Sequence, residues 1–441
     1  MTTEPPAPPS AASGPSLTDP EPQPPPRRWG GLFHHHDFRQ LFLGDTISQL
    51  GTQLTMLALP VLAVRVLDAD EFQMGLLTFC EFLAFLVIGL PAGAWVDRWR
   101  KQRVLVANDL IRALALGSLP LAWAFDVLTF AQVLIVALFI GCCTVFFDVA
   151  YQSYLPEIVE PEDIGEGNAK LQATQSVAMI GGPAIAGLAI KVMGAPLTIA
   201  LDALSFLGSA FFIRRIKHED TPPPRADRRP LHVEVREGLS FVLKHPLLWR
   251  ITATTSISNF FSSMTGAMLV IFALNDLDLD AGHLGLAMGL GAAGGLVGAI
   301  VAPRVTRWVG EGHVIPLSAM LMWPAEFLMP FAGIAILPVV AVTGYMLVET
   351  FSVVLYNVTQ VSFRQRLCPR PLLGRMNASI RFLVWGVMPI GGLVGGLLGG
   401  ALGARQVFWI GAFGAIVATL PVLISPLIKM RDMPRELDKL S

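Results

Sequence analysis

Glu81 and Glu349 are carboxylates set inside long apolar runs, "LLTFCEFLAFLVIGL" and "VVAVTGYMLVETFSVVL". Asp45, Gln49 and Gln53 recur at i, i+4 and i+8, a spacing that aligns them on one face of a helix. An ionisable side chain in apolar surroundings is costly and faces a cavity or a partner. Such a carboxylate can take a proton on one side of a barrier and release it on the other, trading it against a cationic or neutral solute. The chemistry expected of Glu81, Glu349 and Asp45, with Gln49 and Gln53 beside it, is therefore proton coupling or substrate binding. The competing reading gives each carboxylate a structural hydrogen bond. Asp45, near the start of its helix, could instead join a polar network at the membrane edge.

Asn259, Tyr345, Asn357 and Gln360 are expected to line a cavity wall, with Phe82, Phe85, Phe260, Phe261, Trp323 and Trp385 supplying aromatic surface for a greasy ligand. Asp109 and Arg112, at i, i+3, read as a structural ion pair. Metal and disulfide chemistry are not expected. Cys80, Cys142, Cys143 and Cys368 lie in or beside apolar segments without ligand or paired spacing. The His34–His36 triplet reads as a solvated tract at the membrane edge. Gly289–Gly294 fits G-x-G-x-x-G but sits inside a continuous apolar run, where a dinucleotide site would need a strand before it. No nucleotide-hydrolysing loop, no H-E-x-x-H and no serine triad can be argued, so neither an enzyme nor a cofactor is expected. A net charge of −1 gives no reason to expect nucleic acid.

The elements that must position these groups are membrane spans. The chain has 441 residues, 53% hydrophobic and 15% charged, against about a quarter charged in soluble domains. A span needs about 20 mainly apolar residues. Twelve segments qualify: 41–66, 73–96, 104–126, 128–149, 169–191, 195–214, 249–273, 284–306, 313–331, 336–360, 378–402 and 404–428. With both ends placed in the cytoplasm, twenty-seven of the 32 Lys and Arg fall on that side, as positive-inside orientation requires. Only Arg65, Lys191 and Arg405 fall opposite, while Arg112 and Arg381 lie inside spans. The two halves echo each other. "GNAKLQATQSVAMIGGPAIAG" (167–187) aligns with "MNASIRFLVWGVMPIGGLVGG" (376–396), and Gly187 matches Gly396. A duplication of this kind places the substrate site between the halves, near the midplane.

The stretch "GAWVDRWRKQRV" after the second segment carries Gly93-x-x-x-Asp97-Arg98-x-x-Lys101-x-Arg103. It resembles the signature loop of the major facilitator superfamily, G-x-x-x-D-R-x-G-R-[RK], with Arg100 in place of the second glycine. "FRQLFLGDTISQLGTQLTMLALP" (38–60) resembles the first span of the macrolide-efflux and enterobactin-exporter type, and the likeness covers about 38–428. The resemblance implies that Asp97 is held near the start of the eleventh span, around Asn377. A carboxylate at a helix N-terminus is favourable by about 0.3–1 kcal/mol. Arg381 would pair with Asp97, Asp148 would receive Arg100 or Lys101, and Gly93 would let two helices approach closely. Together with Arg98 and Arg103 these residues form an expected latch on the cytoplasmic side; plain orientation signalling is the alternative. "GGPAIAG" resembles the antiporter signature G-P-x-x-G-G, through Gly181, Gly182, Pro183 and Gly187, with Ala186 replacing one glycine. It implies an exporter, against generic span packing. Spans 3, 6, 9 and 12 are peripheral in this family, which makes Asp202 and Glu326 structural.

The expected molecule is an all-α integral membrane protein, twelve transmembrane helices in two pseudo-symmetric six-helix bundles. Its parts are a disordered Pro-rich cytoplasmic tail (1–37), a first bundle (38–214), a cytoplasmic linker with an amphipathic helix (215–248), a second bundle (249–428) and a cytoplasmic C-terminal tail (429–441). Its expected work is export of an amphipathic drug, macrolide or siderophore from the bacterial inner membrane by alternating access, driven by proton antiport, as a monomer and without cofactor or metal. Alternatives are a symporter, a lysophospholipid transporter, or a scaffold or sensor that transports nothing.

Overall fold

The computed structural model describes residues 31–96, 98–218, 231–368 and 373–430. Its α-helices are α1 (His36–Val66), α2 (Glu71–Val87), α3 (Gly89–Val96), α4 (Lys101–Ala124), α5 (Phe130–Ile158), α6 (Ile164–Arg214), α7 (Leu231–Lys244), α8 (Leu248–Ile271), α9 (Ala281–Val309), α10 (Glu311–Phe331), α11 (Pro338–Leu367), α12 (Leu373–Trp385), α13 (Met388–Leu402) and α14 (Ala404–Leu423). Among the described residues, ten stretches are long and apolar enough to cross a membrane. One of these, Pro161–Arg214, has 54 residues and reverses at Gly194 (φ 84, ψ 161), so it crosses twice. The pair α2–α3 supplies a further crossing, which makes twelve. Helix α7 lies in the linker.

Two spans expected to be continuous are broken, and proline sets both breaks. Proline cannot donate to the carbonyl four residues back, and its ring clashes with that carbonyl. Pro91 ends α2 at Val87, and Pro389 ends α12 at Trp385. The broken spans face each other, and Phe85 meets Trp385 with ring centroids 4.8 Å apart. The carbonyls near the second break are recovered from α8. Ser256 Oγ donates to Leu383 O (3.0 Å), Asn259 Nδ2 to Val384 O (2.8 Å) and Ser263 Oγ to Met388 O (2.7 Å).

The duplication is visible in the backbone. Gly194 turns the chain between the fifth and sixth spans, and Gly403 (φ 92) between the eleventh and twelfth. Both are left-handed, a region glycine enters without steric cost. Asp68 (φ 51) and Asp278 (φ 52) hold matching left-handed positions after the first and seventh spans. Each is followed two residues later by an aspartate, Asp70 or Asp280, that caps the next helix.

Helices α1–α6 pack among themselves, as do α8–α14. The bundles meet mainly where α2 crosses α13 and α6 crosses α9, with α8 against α1 and α2. The first and last described residues and the described ends of the linker gather at one end of the molecule, called here the terminal end. There Leu32 N donates to Glu166 Oε1 (3.1 Å), Lys217 N to Asp37 Oδ1 (3.0 Å) and Gln102 Nε2 to Ile216 O (2.8 Å). At the opposite, far end one apolar core runs through both bundles, from Leu57–Val64 and Met74 to Met264–Leu274 and Phe408. At the terminal end each bundle has its own core. Phe38, Leu105, Tyr154 and Leu171 belong to one; Leu248, Phe363, Met376 and Val422 belong to the other.

Candidate functional site

The far end is shut by backbone against backbone. A Cβ on Gly396 of α13 would lie 2.7 Å from Gly75 Cα of α2. The related crossing places a Cβ on Gly285 of α9 at 2.8 Å from Gly187 Cα of α6. Both distances are too short for any side chain, and small residues at such crossings let helix backbones approach. Gly187, from the antiporter-like motif, thus sits at the bundle interface, and the Pro183 carbonyl lies against Gly285. Gly182 abuts Gln53 of α1, while Gly181 meets nothing beyond its own helix. Two of the three basic residues expected on this side complete the seal. Arg65 Nη2 donates to Leu274 O (2.9 Å) and Lys191 Nζ lies 3.8 Å from Asp280 Oδ2, each across the interface. The third, Arg405, donates to Pro330 O (2.7 Å) and Ala332 O (2.8 Å) within the second bundle. The sequence reading counted these residues as exceptions to the charge rule; that isolation was the signal it did not use.

The terminal end departs from the expected latch. Asp97 lies outside the described residues. Arg381 pairs with Asp148 of α5 across the bundle interface (Nη2 to Oδ2, 2.9 Å). Its guanidinium also sits over the rings of Phe85 and Trp385, at 5.7 and 5.4 Å. Asp148 therefore does not receive Arg100 or Lys101. Lys101 turns instead to the end of α5, where it pairs with Glu157 and donates to Ser153 O (3.2 Å). Arg98, Arg100 and Arg103 are exposed. Nothing stands within 4 Å of a Cβ added at Gly93, so the close approach expected there is absent. An ion pair the sequence reading missed, Arg375 Nη1 to Glu237 Oε2 (2.5 Å), ties α12 to the linker helix α7.

The interior groups divide by bundle. In the first, Asp45 is buried beside Gln49, whose Nε2 donates to Asp45 Oδ1 at 3.4 Å. Asp109 pairs with Arg112 at 2.7 Å, and Arg112 is sandwiched by Phe147 and Phe206 at 4.3 and 4.4 Å. Asp202 accepts from Ser205 Oγ (2.8 Å). Glu81 is half-buried on α2, where Gly141 of α5 packs on its carbonyl. In the second bundle Glu349 is half-buried on α11, Glu326 of α10 is 3% exposed and Tyr345 is 4% exposed. Of the expected wall residues, Tyr345 is in the shared core and Asn259 Nδ2 donates to Val384 O beside the break in the eleventh span. Asn357 is exposed and accepts from the buried Gln360 (3.1 Å).

The arrangement is two bundles of helices that share one core at the far end and meet along one flank at the terminal end, with carboxylates buried in each. A model of the Major Facilitator Superfamily matches residues 41–390. The multidrug efflux pump Tap of Mycobacterium tuberculosis is 27% identical over 418 residues, covering 90% of this chain and 94% of its own. Macrolide efflux protein A of Streptococcus pyogenes is 21% identical over 359 residues (80% and 87% covered), and the staphyloferrin A transporter of Staphylococcus aureus 24% over 307 (67% and 72%). A mutant form of the nucleoside transporter NupG superposes with a TM-score of 0.74 at 13% identity, covering 88% of this chain and 99% of its own. A bacterial homologue of the iron transporter ferroportin, 18% identical and covered at 88% and 98%, scores 0.71 in its inward-facing state and 0.58 in its outward-facing state. The chain belongs to the Major Facilitator Superfamily.

Proposed function

We propose that the chain exports an amphipathic small molecule across the bacterial cell membrane, by alternating access and in exchange for protons. The observation that carries this reading is the pair of related crossings, Gly75 on Gly396 and Gly285 on Gly187, which shuts one mouth while the other end keeps two separate cores. With the basic terminal end in the cytoplasm, the passage between the bundles loads from inside, which is where an exporter begins. Relatives that carry the names of multidrug and macrolide efflux proteins support the same direction. In this reading residues 38–214 and 249–428 rock as two units about the linker 215–248. The Asp148–Arg381 pair serves as the inner gate, and Glu81, Glu349 and Asp45 are the coupling carboxylates.

The test is transport by purified protein in liposomes under an imposed pH gradient, with tetraphenylphosphonium and erythromycin as probes. Gradient-driven movement of either probe, weakened by Glu81→Gln or Glu349→Gln, is the expected result. Movement unaffected by both substitutions removes those residues from coupling. If neither probe moves while the protein remains folded, a scaffold or sensor becomes the better reading.

A further inference from the structure

Glu326 plays no part in the passage described above, yet it is among the most completely buried carboxylates of the chain. Its Oε2 is enclosed and has no hydrogen-bond partner. It lines a small pocket with Met322 of its own helix, Ser258, Phe261 and Ser262 of α8, and Ala415 of α14. Helix α11, packed along α10, carries the buried Tyr345 and the half-buried Glu349. Helix α8 offers hydroxyl groups, and α14 presents Gly411 and Ala415. No basic side chain among the described residues interacts with it.

The first bundle solves the same problem differently. Asp109 has Arg112 at 2.7 Å, and Asp202 feels the same guanidinium. An unpaired anion in an apolar interior costs several kcal/mol or more, by about the scale of one buried charge. A carboxylate without a cation relieves that cost by holding a proton. A protonated carboxyl also regains a hydrogen-bond donor. Position gives the proton a consequence. Helix α8, which forms the pocket roof through Ser258 and Ser262, packs against α1 and α2 of the other bundle.

We propose that Glu326 is a proton site of this transporter, holding one exchangeable proton in the closed pocket between α8, α10 and α14. The step is simple: a carboxylate oxygen gains a proton to become O–H and later returns it, with no other bond changed. The inference rests on the proton-coupled reading above and deepens it by adding a carboxylate on a helix that the sequence placed at the periphery.

Glu326→Gln in the full chain tests it, with two readouts. In nanodiscs, infrared difference spectra between acidic and alkaline buffer should contain a carboxylic-acid carbonyl stretch that E326Q deletes and E349Q keeps. In liposomes, E326Q should lose erythromycin movement driven by the pH gradient but keep erythromycin counterflow, which needs no proton. An unchanged infrared titration together with wild-type gradient-driven transport in E326Q overturns the proposal. Should E326Q not survive purification, E326D takes its place, and a carbonyl stretch that E326D leaves unmoved overturns the proposal. A wild-type protein that shows the Glu326 signal but moves no probe against protons leaves the proton site standing and removes the coupling reading, so the two failures are distinguishable.

Discussion

The two ends of this molecule are held together by different physics. At the far end the bundles share one core and touch through glycine backbones at two related places. At the terminal end they keep separate cores and touch along one flank, where Arg381 meets Asp148 and Phe85 meets Trp385. Backbone packing has sharp steric limits and no adjustable length. An ion pair about one-third exposed is weak and tolerant of geometry. The contrast teaches which end sets the rocking angle: the far end is a seat that fits or does not, and the terminal end is a clasp that can be loose.

The largest effect should come from spoiling the seat. Gly285→Leu places a side chain 2.8 Å from Gly187 Cα and closer still to the Pro183 carbonyl. Overpacking costs about 1–3 kcal/mol, which shifts the ratio of two states by about 5- to 150-fold. Spin-label distances across the far end should lengthen, and transport should fall with them. Gly93→Leu at the terminal end meets open space in this state and should leave those distances unchanged. Equal effects from the two substitutions would end the contrast.

Smaller effects should follow the polar contacts in order. Arg65→Ala removes one hydrogen bond to Leu274 O at an exposed position, about 0.5–1.5 kcal/mol. It should raise the far-end-open population a few-fold in the same distance measurement. Asp148→Asn removes a pair with side chains 35% and 34% exposed, about 0.2–1 kcal/mol. It should widen the terminal end slightly, and the exchange Asp148→Arg with Arg381→Asp should restore the original distances. Failure of that exchange would mean that the rings of Phe85 and Trp385, rather than the charge, hold Arg381 in place.

Much of this was legible because it depends on local pattern. Apolar run length gives the crossings, and lysine and arginine placement sorts the two ends. The echo of Gly187 in Gly396 pointed to the duplicated crossings. What stayed hidden depends on partners far along the chain. Asn259 read as a cavity residue, because nothing in its own helix says that a break 125 residues away will offer it a carbonyl. The break itself had a local signal: Pro91 and Pro389 forbid the bond to residues 87 and 385, although both runs read as unbroken spans. Gly93 was expected to form a tight contact, but whether it does depends on which end is open. Glu326 and Asp109 look alike in sequence. Only the fold gives one an arginine and leaves the enclosed Oε2 of the other without a partner.

The smallest predicted effect probes whether protons loosen one end and spare the other. His245 lies at the joint between the linker helix α7 and α8, and its Nδ1 accepts from Leu247 N and Leu248 N, both at 3.2 Å. Burial pushes its imidazole below the ordinary histidine value. The docked joint therefore prefers the neutral ring, and an undocked joint binds the proton more readily. Stability is full above the ordinary value, about 6.5, and is lost as pH falls from there towards the lowered value in the folded protein. Hydrogen exchange at Leu247 and Leu248, corrected for intrinsic rates, should accelerate across that window. His245→Asn removes the titrating ring and should flatten the response. The glycine crossings at the far end are backbone against backbone and carry no titrating group, and the Asp280 carboxyl there is held below its usual range, chiefly by the hydrogen bond from His283 N. Acid should therefore leave Arg65–Leu274 and the glycine crossings untouched while the α7–α8 joint opens. Equal acceleration of exchange at both ends would assign the effect to global unfolding instead of to His245.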